Sequence, residues 1–265
     1  MHPKISIITV CFNAKDCIEE TILSVINQSY PNIEYIIIDG GSSDGTIDII
    51  NKYNTKITYW ISERDKGIYD AMNKGINIAS GEWVNFMNAG DTFYETTTIE
   101  SCINILRGKE CIDVLYGNTI LNYKNEKYLS YPHDLSLINK ITIFCHQSCF
   151  IKSSILKKNL FDIKYKIVAD YNQIRDLYNK GYLFKYINIP ICNYEAENGI
   201  SSQNITQRMK EYAKINYQNN LIIYYYTMSV IYIKDKIKRL IPKKFIKNRK
   251  KRFLENNPLV KKIEN

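Results

Sequence analysis

At 265 residues, 45% apolar and 24% charged, the chain has the composition of an ordinary globular protein with a sizeable core. Its formal charge of +9 is a property of the tail: residues 234–265 hold 13 Lys/Arg against 3 Asp/Glu, and the other 23 Lys/Arg and 24 Asp/Glu nearly cancel, which speaks against a nucleic-acid enzyme with a basic binding face. Seven scattered cysteines without a C-x-x-C pair, and only three histidines, exclude a disulfide framework, a zinc site and a histidine-rich metal centre.

In chain order, Ile5–Val10 is an unbroken apolar run, as a strand covered on both faces requires. Ile18, Ile22, Val25 and Ile26 follow at helical spacing, with Glu19 and Glu20 in the first turn, where they suit the helix dipole. Glu34–Thr46, EYIIIDGGSSDGT, reads as a strand ending in Asp39, a Gly40–Ser43 turn and a helix start near Asp44. A third strand is expected near Ile57–Ile61 and a helix along Ile68, Met72, Ile76 and Ala79. Trp83–Met87 is a fourth strand, running into Asn88-Ala89-Gly90-Asp91. Strands and helices alternating this closely predict an α/β fold with a mostly parallel sheet and helices on both faces. Asn13, Asp39–Asp44, Ser62–Lys66 and Asn88–Asp91 each follow a strand, so all four clusters open onto one sheet edge, where such folds bind ligands.

The second half is less regular. Asp113–Tyr116 and Lys127–Tyr131 read as strands interrupted by Gly117-Asn118, and Ser148–Ile151 as another, followed by a helix over Ser153–Leu160. Asp170 precedes a helix that turns Ile174, Leu177 and Tyr178 inward; Leu183–Ile187 and Ile191–Tyr194 read as short strands parted by Pro190. Leu221–Ile233 is a 13-residue apolar run, too short for the ~20 residues of a bilayer span. Lys/Arg clusters follow it, so Leu221–Lys262 suits an interfacial helix on anionic lipid; the alternative is a helix packed on the body or on a homodimer partner.

Neither a P-loop nor a G-x-G-x-x-G fingerprint is present, which leaves nicotinamide and flavin readings without support. What remains is a nucleotide-sized crevice lined by acids and amides, in which a diphosphate would need a divalent cation, Mg²⁺ or Mn²⁺. SIITVCFNA, DGGSSDGT, SERDKGIYDAMNKGI, NAGD, HQSCF and ADYN occur in that order, and together they resemble a family 2 glycosyltransferase of GT-A fold over Lys4–Ser201. The SERDKGIYDAMNKG block resembles the branch that assembles bacterial capsule, exopolysaccharide and O-antigen.

The resemblance implies that Thr9, Val10, Phe12 and Asn13 line a nucleotide pocket and that Asp39 binds the base, typically uracil. It puts Ser62, Lys66, Asp70 and Asn73 over the ribose and diphosphate. Asn88, Ala89 and Asp91 take the place of the acidic metal motif, here reduced to one carboxylate. Asp170 takes that of the catalytic base; His146, Gln147 and Ser201 fall near the diphosphate or acceptor. The implied activity is inverting, metal-dependent transfer from a nucleotide-diphosphate sugar, UDP-linked, to a glycan or polyprenyl-diphosphate-linked acceptor. A partner subunit that binds nucleotide sugar without catalysis is the alternative, suggested by the thinned metal motif. The expected organisation is a GT-A-like domain over residues 1–202 and a helical, then basic, extension over 203–265. MHPKISIITV lacks the long apolar region of a signal peptide, so the expected location is cytoplasmic, peripheral on the inner face of the membrane.

Overall fold

The first strand, β1 (Ile5–Cys11), is buried along its whole length because helices cover the sheet on both faces. Its alternation sends Ile8 and Val10 into one core and Ile5, Ile7 and Cys11 into the other. β2 (Ile33–Asp39) runs parallel to it, with Asp39 level with Cys11. β3 (Tyr59–Ser62) and β4 (Trp83–Phe86) complete a parallel block in the order β3-β2-β1-β4. The structure, a computed structural model, describes residues 2–106, 111–124, 126–197, 199–217, 220–240 and 252–263, with the side chains of 200, 201 and 238–240 outside that description.

The connecting helices bury the faces that the periodicity predicts. α1 (Ile18–Ile26) puts Ile18, Ile22 and Val25 into the second core, joined there by Ile50 of α2 (Thr46–Lys52) and Ile99 and Ile103 of α4 (Thr98–Leu106). α3 (Ile68–Ile78) covers the other face beside α6 (Ala169–Asn179), through Tyr69, Met72, Ile76, Tyr171, Ile174 and Leu177. α3 lies so close to β1 that a Cβ on Gly75 would sit 2.6 Å from Ile8 Cγ2, so only glycine permits this approach.

Past residue 91 the pairing changes. β5 (Thr92–Phe93), β6 (Val114–Tyr123), β7 (Glu126–Ser130), β8 (Cys149–Lys152) and β9 (Phe184–Glu195) pair antiparallel, except that β9 runs parallel to β6. The parallel character expected of the sheet thus belongs to its first block. The expected break at Gly117-Asn118 does not end β6, and Pro190 does not divide β9. The two irregularities face each other: register slips on either side of Asn118, which pairs with Pro190. A bulge tolerates a proline that has no ladder hydrogen to give. α5 (Ser153–Leu156) is a single turn, shorter than the Ser153–Leu160 helix expected.

Beyond residue 202 the chain returns to the body. α7 (Ile200–Gln203) leads into α8 (Ile205–Tyr217), which buries Glu211, Ala213 and Ile215, and α9 (Leu221–Leu240) packs on α8. β10 (Val260–Ile263) joins β7 antiparallel and ends the order β10-β7-β6-β8-β4-β1-β2-β3. The extension therefore contributes a strand as well as helices. Residues 241–251 of the basic stretch lie outside the described residues.

Candidate active site

The loops after β1 and β2 are laced into one wall. Asn13 adopts φ +47°, a left-handed conformation that asparagine tolerates. Its N–H donates to Ser42 Oγ at 2.7 Å, and its Oδ1 accepts from Ser43 N at 3.0 Å. Asp44 ties the same loops one turn further on, accepting from Lys15 N and Thr46 N, both at 3.0 Å. The N-cap of α2 is Gly45, so Asp44 fixes the helix start from one position earlier. Asp39 lies beneath this wall, 0% exposed. It accepts from Gly41 N (3.0 Å), Ser42 N (2.8 Å), Ser42 Oγ and Ser62 Oγ (2.6 Å), with Cys11 Sγ at 3.4 Å. Burial alone would raise its pKa, but the bonds from Ser42 and Ser62 outweigh that and hold it below the usual carboxylate range.

In front of the wall opens a cleft of about 1170 Å³ that runs from Phe12 and Asp65, past Asn88 and Asp91, to His146, Asp170 and Arg208. A chain of hydrogen bonds crosses it. Asn88 Nδ2 meets His146 Nε2 at 3.1 Å, His146 Nδ1 meets Asp170 Oδ2 at 2.9 Å, and Tyr69 OH lies 2.9 Å from Asp170 Oδ1 and 2.8 Å from Ile167 O. An amide nitrogen only donates, so with Asn88 in this orientation Nε2 accepts and the ring proton sits on Nδ1, pointing at Asp170. Burial pushes the His146 pKa down, but the Asp170 carboxylate pulls it up further, to a net rise. For Asp170, burial is likewise outweighed, here by His146 and Tyr69, and its pKa is lowered. Asp170 is therefore ionised at neutral pH.

The second carboxylate of the cleft behaves in the opposite way. Asp91, 5% exposed, accepts from Gln147 Nε2 at 2.5 Å and Glu195 N at 3.0 Å, yet burial raises its pKa to about 6. Nearby in sequence, Asn88 Oδ1 is buried without a hydrogen-bond partner, an arrangement that needs a reason. A hard cation supplies one: Asn88 Oδ1 and Asp91 would be its protein ligands, and diphosphate oxygens and water would complete the shell. Among the described residues no group of three or more His, Cys, Asp or Glu could hold a metal without such help.

Of the residues singled out in the sequence, Val10, Phe12, Asn13, Asn88, Ala89, Asp91, His146, Gln147 and Asp170 all line this cleft. Others are not among its lining residues. Thr9 is fully buried, donating to Met87 O at 2.7 Å with Tyr35 OH at 3.1 Å. Ser62 serves Asp39; Asp70 accepts from Lys66 N at 3.0 Å and so shapes the start of α3. Asn73 exchanges both of its amide bonds with the Phe161 backbone, at 2.9 Å each. Asp39 stands behind the lining residues and supports Asn13 through Ser42. The side chain of Ser201 lies outside the described residues. Sequence reasoning missed Lys166, Arg208 and Tyr212, which line the cleft from the second half of the chain. Tyr69 was legible only as a core or wall residue, since nothing local announces a hydroxyl aimed at Asp170.

Comparison with known proteins agrees with this geometry. The model of glycosyl transferase family 2 matches residues 6–163, more than half of the chain. A PGL/p-HBAD biosynthesis glycosyltransferase of Mycobacterium bovis is 27% identical over 205 residues, covering 76% of this chain and 80% of the relative. An uncharacterized glycosyltransferase of Mycobacterium tuberculosis is 34% identical over 173 residues, covering 63% and 66%. In fold, the chain is similar to S. aureus TarS 1–349 in complex with UDP, with a TM-score of 0.62 and 18% identity over 80% of this chain and 65% of that one; it spans 39% of another TarS structure. It is also similar to the mannosyltransferase PcManGT from Pyrobaculum calidifontis in complex with GDP-Man and Mn²⁺, with a TM-score of 0.65 and 14% identity over 98% and 82%. The cleft at the strand ends is thus set in a GT-A fold, and the chain belongs to glycosyltransferase family 2.

Proposed function

We propose that the chain is an inverting glycosyltransferase of bacterial surface-polysaccharide assembly. It would move a sugar from a nucleotide-diphosphate donor, UDP-linked, to a hydroxyl of a glycan or polyprenyl-diphosphate-linked acceptor. The observation that carries this reading is the ionised Asp170 in the cleft, held by His146 and Tyr69. Crystal structures of TarS with UDP and with UDP-GlcNAc support the donor class.

In this reading the base lies against the wall that Asp39 organises, near Phe12, and the diphosphate lies toward Asn88 and Asp91. A cation held there by Asn88 and Asp91, Mn²⁺ or Mg²⁺, supplies charge neutralisation for the departing diphosphate. The acceptor oxygen forms its bond to the anomeric carbon from the face opposite the breaking bond to phosphate, which inverts the centre. The acceptor proton passes to Asp170. A carboxylate of lowered pKa is a weak base toward a free alcohol, so this transfer becomes favourable only as the new C–O bond makes that proton acidic. His146 and Tyr69 keep Asp170 ionised and aimed.

Asp170→Asn preserves the shape and removes the base. Turnover should fall by ~10²–10⁴ while UDP affinity, measured by calorimetry, stays unchanged. Undiminished turnover would remove Asp170 from the mechanism. Absence of both donor hydrolysis and transfer in the native chain with Mn²⁺ would favour the non-catalytic subunit.

The tail completes the proposal. α9 exposes Ile222 (84%), Tyr226 (71%) and Ile233 (55%) along one face, and Lys234 and Lys236 stand in its last turns. Among the described residues no helix is long and apolar enough to cross a membrane. An amphipathic helix lying on anionic lipid at the inner face of the cell membrane fits both facts.

A further inference from the structure

α8, like α6 and its Asp170, lies outside the family-matched stretch of residues 6–163, and it is wired to the residues that lead into α6. Glu211 is 5% exposed, and its carboxylate faces the backbone just before that helix. It accepts from Lys166 N at 3.0 Å, Ile167 N at 2.9 Å and Val168 N at 3.2 Å, and from Gln207 Nε2 at 3.0 Å. The three backbone amides lead into α6, so the carboxylate holds the approach to the helix and lies near the positive end of its dipole. No side chain caps α6 from within its own sequence, since the residue before it is Val168. Two more contacts come from α8: Tyr171 OH, in the first turn of α6, donates to Asn216 Oδ1 at 2.8 Å, and Tyr212 OH hydrogen-bonds Thr142 Oγ1 in the loop that leads to His146.

We infer that Glu211 is a positioning residue for the reaction: it anchors the three residues that lead into α6 and thereby fixes Asp170 against His146 and Tyr69. This rests on the glycosyltransferase reading above and adds to it a part of the chain that the family match does not reach. Ile167 ties the two ends together. Its N–H donates to Glu211 and its carbonyl accepts from Tyr69, whose hydroxyl also meets Asp170. Losing the carboxylate leaves three backbone donors competing for an amide, and the segment that carries Asp170 shifts or loosens. A misplacement of about 1 Å costs on the order of 10²-fold in rate.

The test compares Glu211→Gln and Glu211→Asp with the native chain in thermal unfolding, UDP affinity, donor KM, kcat, and amide hydrogen exchange over residues 166–172. Glu211→Gln should lower kcat by about 10–100-fold while UDP affinity and donor KM stay within about 2-fold, because the base-side wall is built by other elements. Exchange at 166–168 should accelerate, and Glu211→Asp should recover part of kcat. A native kcat in folded Glu211→Gln overturns the inference. Should the glutamine variant fail to fold, Glu211→Asp, one methylene too short to hold all three amides, is expected to accelerate exchange at 166–168 and lower kcat; either unchanged exchange or a native kcat despite accelerated exchange overturns it. So does a loss in which kcat and UDP affinity fall together. If the native chain turns over no nucleotide sugar, the glycosyltransferase reading fails instead; the exchange arm then still decides whether Glu211 orders this segment, and unchanged exchange overturns it.

Discussion

His146 links Asp170 to the Asn88 amide because both of its ring nitrogens are engaged. Its folded pKa is raised and that of Asp170 lowered, so the stabilisation they share has two edges. The histidine contribution is complete below the ordinary value near 6.5 and is lost as pH rises through the raised one. The aspartate contribution is complete above about 3.9 and is lost as pH falls through the lowered one. His146→Gln should therefore cost several degrees of Tm at pH 5.5 and clearly less at pH 8.5, read by thermal unfolding at both. Protonated His146 would also turn Nε2–H toward the Asn88 amide, which would then flip its oxygen to the ring and away from the proposed cation. Asp91, with its pKa near 6, loses its charge over the same range. Mn²⁺-dependent donor binding should accordingly weaken as pH falls through about 6, measured by titrating UDP with and without Mn²⁺ at pH 5 and pH 8. Asp91 and Asp170 were visible in the sequence because one follows a strand and the other opens a helix, and His146 through the HQSCF motif of the family resemblance. Glu211 was not, since a glutamate in the middle of an ordinary amphipathic helix carries no local mark of what its carboxylate reaches.

Elements obey a similar division. The first four strands and their helices were legible because apolar runs and a 3.6-residue period coincide there with clear turn residues. α3 against β1 shows how tightly that block is packed: Gly75→Ala would drive a methyl into Ile8 and should cost ~1–3 kcal/mol, seen as a Tm drop of ~2–4 °C per kcal/mol. Turnover per folded molecule should change far less than stability, because Gly75 does not line the cleft. The second half was harder to read. Gly117-Asn118 and Pro190 look like strand breakers alone, and only the pairing of Asn118 with Pro190 turns two breaks into one bulge. A Cβ on Gly117 would lie 2.5 Å from Ile189 O, so the same close approach explains the glycine.

At the scale of the whole chain, charge and apolar exposure both fall in its C-terminal part. The exposed face of α9 is followed by the basic stretch, while residues 1–233 are almost neutral. A second copy on that face would bring two basic tails together, whereas an anionic bilayer attracts each basic residue near its surface by ~1 kcal/mol. The chain should therefore sediment with vesicles containing phosphatidylglycerol, be released as salt is raised, and ignore phosphatidylcholine vesicles. Ile222→Asp with Tyr226→Asp should abolish sedimentation without changing kcat on a soluble acceptor. Salt-insensitive dimerisation lost in the same variant would assign the face to a second copy instead.

By itself the sequence determined the α/β class, the glycosyltransferase family, the strand-end clusters and the acids most suited to chemistry. Those are local properties: period, turn chemistry and motif order survive in one dimension. The tertiary structure alone decided which of those groups share a cleft. Thr9 and Asp39 hold buried hydrogen bonds and Asn73 a part-buried pair, while Tyr69 meets Asp170 from 101 residues away and Glu211 holds the approach to its helix from 43 to 45 residues beyond the amides it takes up. A hydrogen bond depends on distance and direction in space, and sequence separation places almost no limit on either.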